Sequence, residues 1–256
     1  MRIMVLNQTP QNTRDPRGHE NVLRMLRSYA SPGTEVDLHF PDDVEGAGVM
    51  SRVSAQGIHS SMPYDMITGA FIRKAVWAEQ NGYDAIIQNN DFDPAVEVTR
   101  LAVSIPMLSM CRTAVHIAAT LSDRIGITAP FPGYALTTRR LLKTYGLESF
   151  VTDVRSFGLK TFAISDEELL ERAVKVLRGL VEETGAECLL PLGGGAIPYR
   201  ISPTDVEREV GVPVLNSKAI AIRWAEMCVG LGLSHSPITY PKAKLNADDF
   251  ASYAYR

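Results

Sequence analysis

Glu79–Ile87 reads EQNGYDAII and Glu182–Leu190 reads EETGAECLL. Both describe the end of a helix, a glycine that stops it and an apolar strand. Downstream, Ser104–Ala118 (SIPMLSMCRTAVHIA) pairs with Gly211–Ala225 (GVPVLNSKAIAIRWA), and upstream Arg2–Pro10 (RIMVLNQTP) parallels Arg124–Pro130 (RIGITAP). Three matches in one order indicate an internal duplication. Short apolar runs alternate with helical patterns throughout, which predicts an α/β chain with mainly parallel strands. The expected architecture is two pseudo-symmetric Rossmann-like lobes, each a parallel sheet flanked by helices, with an active-site cleft between them. Strands are expected at residues 3–6, 35–40, 85–88, 107–109, 125–128, 150–154, 188–192 and 214–216. The clearest helix is expected over 166–183, opened by a Ser165/Glu168 capping box, striped by Leu170, Val174, Leu177 and Val181, and stopped by Gly185. Residues 1–105 with about 216–235 would form the first lobe, 106–215 the second, and 236–256 a tail that could pack on a neighbouring subunit.

With 256 residues and 45% hydrophobic content the chain can bury an ample core. Its net charge of −3 and mixed signs offer no basic stripe for nucleic acid. The apolar runs are too short to span a bilayer, and Met1–Leu6 meets Asn7 and Gln8 before a signal-peptide core could form. Cys111, Cys188 and Cys228 are far apart and odd in number, which suits reduced thiols and a cytoplasmic location. The five histidines show no metal-binding spacing, so no metal is expected.

In open parallel sheets, ligands sit beyond the carboxyl ends of the strands. The loops there are 7–10, 88–94, 128–132 and 193–198. Gln88–Pro94, QNNDFDP, crowds amides and acids onto one strand end, which suits a ligand carrying both donors and acceptors. A capped helix, with Asp93 as N-cap and Pro94 first, is the plainer account of Asp93. Gly193, Gly194 and Gly195 lack the ending of a phosphate loop; they would let backbone approach a ligand and donate N–H groups. Tyr199 and Arg200 follow them, in a stretch that reads equally as a surface turn.

These segments resemble the aspartate/glutamate/hydantoin racemase superfamily, most closely its hydantoin-racemase branch. The resemblance rests on NQTP (7–10), GYDAIIQNNDFDPAVEVTR (82–100), IPMLSMCRTAVHIA (105–118), IGITA (125–129) and GAECLLPLGGGAI (185–197). It implies two lobes, no cofactor, and two cysteines working on opposite faces of a substrate carbon, because inverting a centre needs a base and an acid on opposite sides. Aligned on Asp93-Pro94, the first cysteine station holds Asn90; aligned on the glycine loop, the second holds Gly194. Neither residue is a base, so two-thiol racemisation is excluded, and the loss at Gly194 would open room for a bulkier substrate.

The remaining candidates are positional. Asn90, Asp91, His59 and Cys111 form the catalytic set; Cys111 opens a helix, where a thiolate is favoured, and His59 lies in a loop. Asn7, Gln8, Asn89, Ser109, Thr128, the three glycines, Asn216 and Ser217 form the binding set, each at a strand end, with Ser217 readable as a helix cap. The expected substrate is a small carboxylate or a cyclic amide or imide, handled by isomerase, lyase or hydrolase chemistry, and the chain could form a homo-oligomer. A binding protein that kept the cleft and lost catalysis is the alternative.

Overall fold

The computed structural model describes residues 1–7, 16–41, 62–246 and 249. Gln8 and His59 lie outside them. The chain divides into two compact units: residues 1–7, 16–41, 62–109 and 221–246 with 249 make one, and 110–220 the other.

The first unit holds a parallel sheet of β1 (Arg2–Leu6), β2 (Glu35–His39), β3 (Ala85–Gln88) and β4 (Met107–Leu108), in the order β2-β1-β3-β4. The second holds β5 (Ile125–Ala129), β6 (Val151–Ser156) and β7 (Cys188–Pro191), in the order β6-β5-β7. A single parallel bridge from Leu189 to Val214 stands where β4 stands in the first sheet. The expected strand 214–216 is therefore only a bridge, because helix Ser217–Gly230 begins at once and leaves no length for a ladder.

The duplication is visible bond by bond. Asp84 N–H donates to the Arg2 carbonyl as Glu187 N–H does to Arg124, both at 2.8 Å. Ile86 N–H donates to Pro106 at 2.8 Å and Leu189 N–H to Pro213 at 2.9 Å, while Asn89 to Leu6 and Leu192 to Thr128 are both 2.8 Å. Every residue of β3, β5 and β7 is buried, so both faces of these sheets are covered. Met4, Leu6, Phe71, Ala75, Ile86 and Met107 form the first core. Among the described residues no helix is long and apolar enough to cross a membrane.

Helix Asp166–Thr184 starts as expected: Ser165 Oγ accepts from Glu168 N–H, three acids fill the first turn, and left-handed Gly185 ends it. Its buried stripe is Leu169, Ala173, Leu177 and Leu180, not the expected 170/174/177/181 set. Leu170, Val174 and Val181 are only partly buried against the same cluster. The helix is apolar on adjoining faces, and spacing alone does not say which faces the sheet.

Residues 240–243 pack on the first unit. Tyr240 Oη donates to Glu97 at 2.6 Å, Lys242 Nζ caps helix Val96–Ala102 through the carbonyls of Arg100 and Val103, and Ala243 N–H donates to Leu101. His235 Nε2 accepts from Met107 N–H at 2.7 Å, which requires that nitrogen to be unprotonated. Burial, then the charges of Arg100 and Lys242, push its pKa down to about 4.

The unfolded His235 binds a proton near its ordinary 6.5 and the folded one only near 4. The unfolded state thus holds more protons between those values, and this contribution to stability is complete above 6.5 and lost as pH falls toward 4. Urea unfolding from pH 7 to 4 should show this decline, and His235→Gln should flatten it; an unchanged slope refutes the assignment. Ser165→Ala should cost about 1 kcal/mol without changing the denaturant m-value.

Candidate active site

In the first unit, β1 and β3 run side by side with Leu6 opposite Gln88, so Asn7 and Asn89 leave the sheet together. Asn89 Nδ2 donates to Asn7 Oδ1 at 3.2 Å. The polar side chains that follow turn inward. Asn7, Gln88, Asn89, Asn90, Asp91 and Asp93 are all at most 7% exposed, although such groups are ordinarily left in water. Both amide atoms of Gln88 and the Ser109 hydroxyl are buried without a hydrogen-bond partner among the described residues. An unmet buried donor or acceptor costs about 1–3 kcal/mol. Native proteins keep few of them, and a ligand that completes the bonds is one reason to do so. Gln88 faces a crevice lined by Tyr64, Ile67, Phe71, Pro94 and Ala95.

The loop is held in an unusual shape. Asn90 Oδ1 accepts from Phe92 N–H at 2.9 Å, closing a local turn. Asp93 and Ala95 both have positive φ, 50° and 62°. Asp93 is therefore not the N-cap expected of it: the helix begins at Val96, and Ala95 at the cap position has no side-chain bond to give. Left-handed backbone at two non-glycine residues costs on the order of 1 kcal/mol each and needs surrounding structure to hold it. That support includes Arg100, 7% exposed, which donates to the Met107 carbonyl at 3.1 Å and to Glu97 at 2.7 Å.

In the second unit, Thr128 is the last residue but one of β5, its hydroxyl buried and without a partner among the described residues. The glycine loop leaves β7 beside it. Gly193 has φ +97°, and a Cβ there would lie 2.4 Å from Pro130 Cδ. At Gly195 a Cβ would press on the Phe162 ring at 2.9 Å; that ring stacks edge-on with Phe131. At Gly194 it would meet Lys218 Cε at 2.7 Å and Tyr199 Cε2 at 2.9 Å. The room that a missing side chain was expected to leave for substrate at Gly194 is thus filled by Lys218 and Tyr199. Arg200 is used structurally, donating to Asp166 and to the carbonyls of Phe162 and Ile164.

Lys218 has no place among the sequence candidates, yet it is 1% exposed. It lies in the first turn of helix Ser217–Gly230, where Asn216 Oδ1 accepts from the N–H groups of Lys218 and Ala219, both at 3.1 Å. Asn216 is thus the helix cap, the part Ser217 was offered for. Burying an ammonium costs several kcal/mol before partners repay it, and a cation at a helix N-terminus opposes the dipole by about 0.3–1 kcal/mol. The Tyr199 ring lies 5.9 Å from Nζ. One signal for Lys218 was present in the sequence: the repeat sets it opposite Cys111.

Cys111 is fully buried in an apolar cluster with Ala114, Ile125, Ala129, Leu190 and Leu192, the surroundings of a packed side chain. Burial pushes the Cys188 thiol up to about 11 and raises that of Cys228. Among the described residues no group of three or more His, Cys, Asp or Glu is placed to hold a metal ion.

The chain and its fold have recognisable relatives. A hydantoin racemase from Pseudomonas sp. (strain NS671) is 24% identical over 207 residues, covering 79% of this chain and 82% of that protein. Allantoin racemase from Klebsiella pneumoniae superposes with a TM-score of 0.77 at 22% identity, over 95% of each chain. A liganded variant of arylmalonate decarboxylase superposes with a TM-score of 0.60 at 18% identity, over 93% of this chain and 96% of the other. The family model for Asp/Glu/Hydantoin racemase matches residues 22–225, most of the chain. With two parallel sheets in one repeated strand order and a family model that matches most of its length, the chain belongs to the Asp/Glu/Hydantoin racemase family.

Proposed function

We propose that this protein is a cofactor-independent enzyme acting on a small carboxylate or a cyclic amide or imide, by chemistry other than proton exchange between two thiols. One observation carries the reading: the strand ends hold buried, unmet amide and hydroxyl groups, Gln88, Ser109 and Thr128; the resemblance adds that Asn90 and Gly194 align with the two cysteine stations. A thiol serves as a base only as thiolate. Cys188, with its pKa pushed up to about 11, is protonated at neutral pH.

The relatives narrow the chemistry. Racemising a hydantoin or allantoin, and decarboxylating an arylmalonate, both leave negative charge on a carbon beside a carbonyl. That charge spreads onto the carbonyl oxygen as an enolate. Neutral donors fixed in a buried setting stabilise such an oxygen without reorganising. In the first unit Gln88 Nε2 and Ser109 Oγ are donors of this kind, and Gln88 Oε1 accepts from an imide N–H. Asp91, 3% exposed, is the carboxylate of the first unit offered for acid–base work.

A non-catalytic binding protein is the second reading. It is favoured by Asn90, whose side chain is spent on holding the loop through Phe92 N–H.

Hydantoins, allantoin and arylmalonates should raise the melting temperature, and product analysis of the stabilising compounds should reveal turnover; stabilisation without turnover leaves the binding reading. Gln88→Leu removes an unmet buried amide. It should stabilise the free protein by about 1–2 kcal/mol while weakening ligand binding roughly tenfold or more. A variant that binds as well as the native protein removes Gln88 from the site. Asp91→Asn should slow turnover by roughly 100-fold if Asp91 carries a proton.

A further inference from the structure

We infer that Lys218 is the proton donor of this protein: its ε-ammonium protonates the carbanionic carbon of an anionic substrate at the Gly194 loop. The inference rests on the enzymatic reading above and names the group that does its proton work in the second unit.

Three features converge. First, Lys218 is 1% exposed, while long charged side chains ordinarily keep their charged heads in water. Second, its position works against it electrostatically: Asn216 caps the helix through the backbone of Lys218 itself, so the ammonium belongs to the positive end of that helix. A lysine retained there is not explained by helix stability. Third, Gly194 is shaped for it. A Cβ at residue 194 would lie 2.7 Å from Lys218 Cε, so any side chain at this strand end displaces the amine. Tyr199 closes the other side, 2.9 Å from the same point, with its ring 5.9 Å from Nζ. Glycine at 194 and lysine at 218 are therefore one device: the strand end gives up its own side chain and takes an amine from a helix instead.

The chemistry balances without a co-reactant. Loss of CO2, or of a proton taken up by a carboxylate or solvent base, leaves an electron pair on the carbon beside the carbonyl. One N–H bond of the ammonium breaks as the new C–H bond forms, leaving a neutral amine that regains its proton from solvent. Lysine suits this role because it has both a charge that attracts the anion and a proton it can surrender. Arginine shares the charge and does not surrender a proton.

That difference supplies the test. Native protein, Lys218→Arg and Lys218→Met are incubated in deuterated water with 5-benzylhydantoin, allantoin and phenylmalonate, and deuterium in the product is followed by mass spectrometry against a protein-free control. Both variants should lose about 100-fold or more in rate, the usual reach of general acid catalysis. Lys218→Arg should bind substrate nearly as well as the native protein in a thermal-shift titration. A primary amine such as ethylamine should restore part of the rate to Lys218→Ala. Retained rate in Lys218→Met overturns the role outright; retained rate in Lys218→Arg reduces Lys218 to an anion holder and overturns proton donation. Covalent trapping by borohydride would replace it with imine formation. If Lys218→Met fails to fold, Gly194→Ala gives the same reading, because its methyl displaces the amine from the far side; an undiminished rate there overturns the inference. No turnover by the native protein with any of the three compounds overturns the proposed function itself, and proton donation falls with it.

Discussion

The constraint on which the rest depends is the burial of the parallel strands on both faces. β3, β5 and β7 are buried along their whole length, so no strand interior can carry a polar group cheaply. Polar chemistry is confined to where the backbone leaves the sheet. At β1 and β3 that place receives Asn7, Gln88 and Asn89; at β5 and β7 it receives Thr128 and the glycine loop. The same rule makes the unmet atoms of Gln88, Ser109 and Thr128 informative. The fold leaves them inside without partners among the described residues.

Much of the fold was legible because it is written twice. Matching glycine-stopped helices and apolar runs announced two equivalent parallel sheets, and equivalent backbone bonds recur at equivalent positions. Ser165 and Gly185 announced a helix through local chemistry that works within three or four residues. What local pattern could not decide was orientation. The 166–184 helix is apolar over adjoining faces, and only the sheet beneath it selects Leu169, Ala173 and Leu180. Asp93-Pro94 likewise imitates a cap and a first helical residue. The left-handed backbone at Asp93 and Ala95 is imposed by the packed surroundings and defers the helix to Val96.

The strand ends were legible as polar positions more than as chemistry. QNNDFDP marks a polar strand end, and the structure buries its amides and acids. Asn90 and Asn216 both serve local structure, one closing a turn and the other capping a helix. Lys218 escaped notice because a lysine near the start of a helix reads as solvated. Its burial depends on Gly194 and Tyr199, which neighbour it only through the fold. The triple glycine showed the opposite error: glycines that look like open space are filled by Pro130, Lys218, Tyr199 and Phe162.

The central claim is that a racemase-family fold here works without sulfur. All three thiols are buried, and a variant carrying Cys111→Ala, Cys188→Ala and Cys228→Ala removes every one of them. Its rate of substrate turnover, measured once circular dichroism shows the fold intact, is the most direct test. A rate within a few-fold of the native protein is the predicted result; a folded cysteine-free protein with turnover abolished would contradict the account.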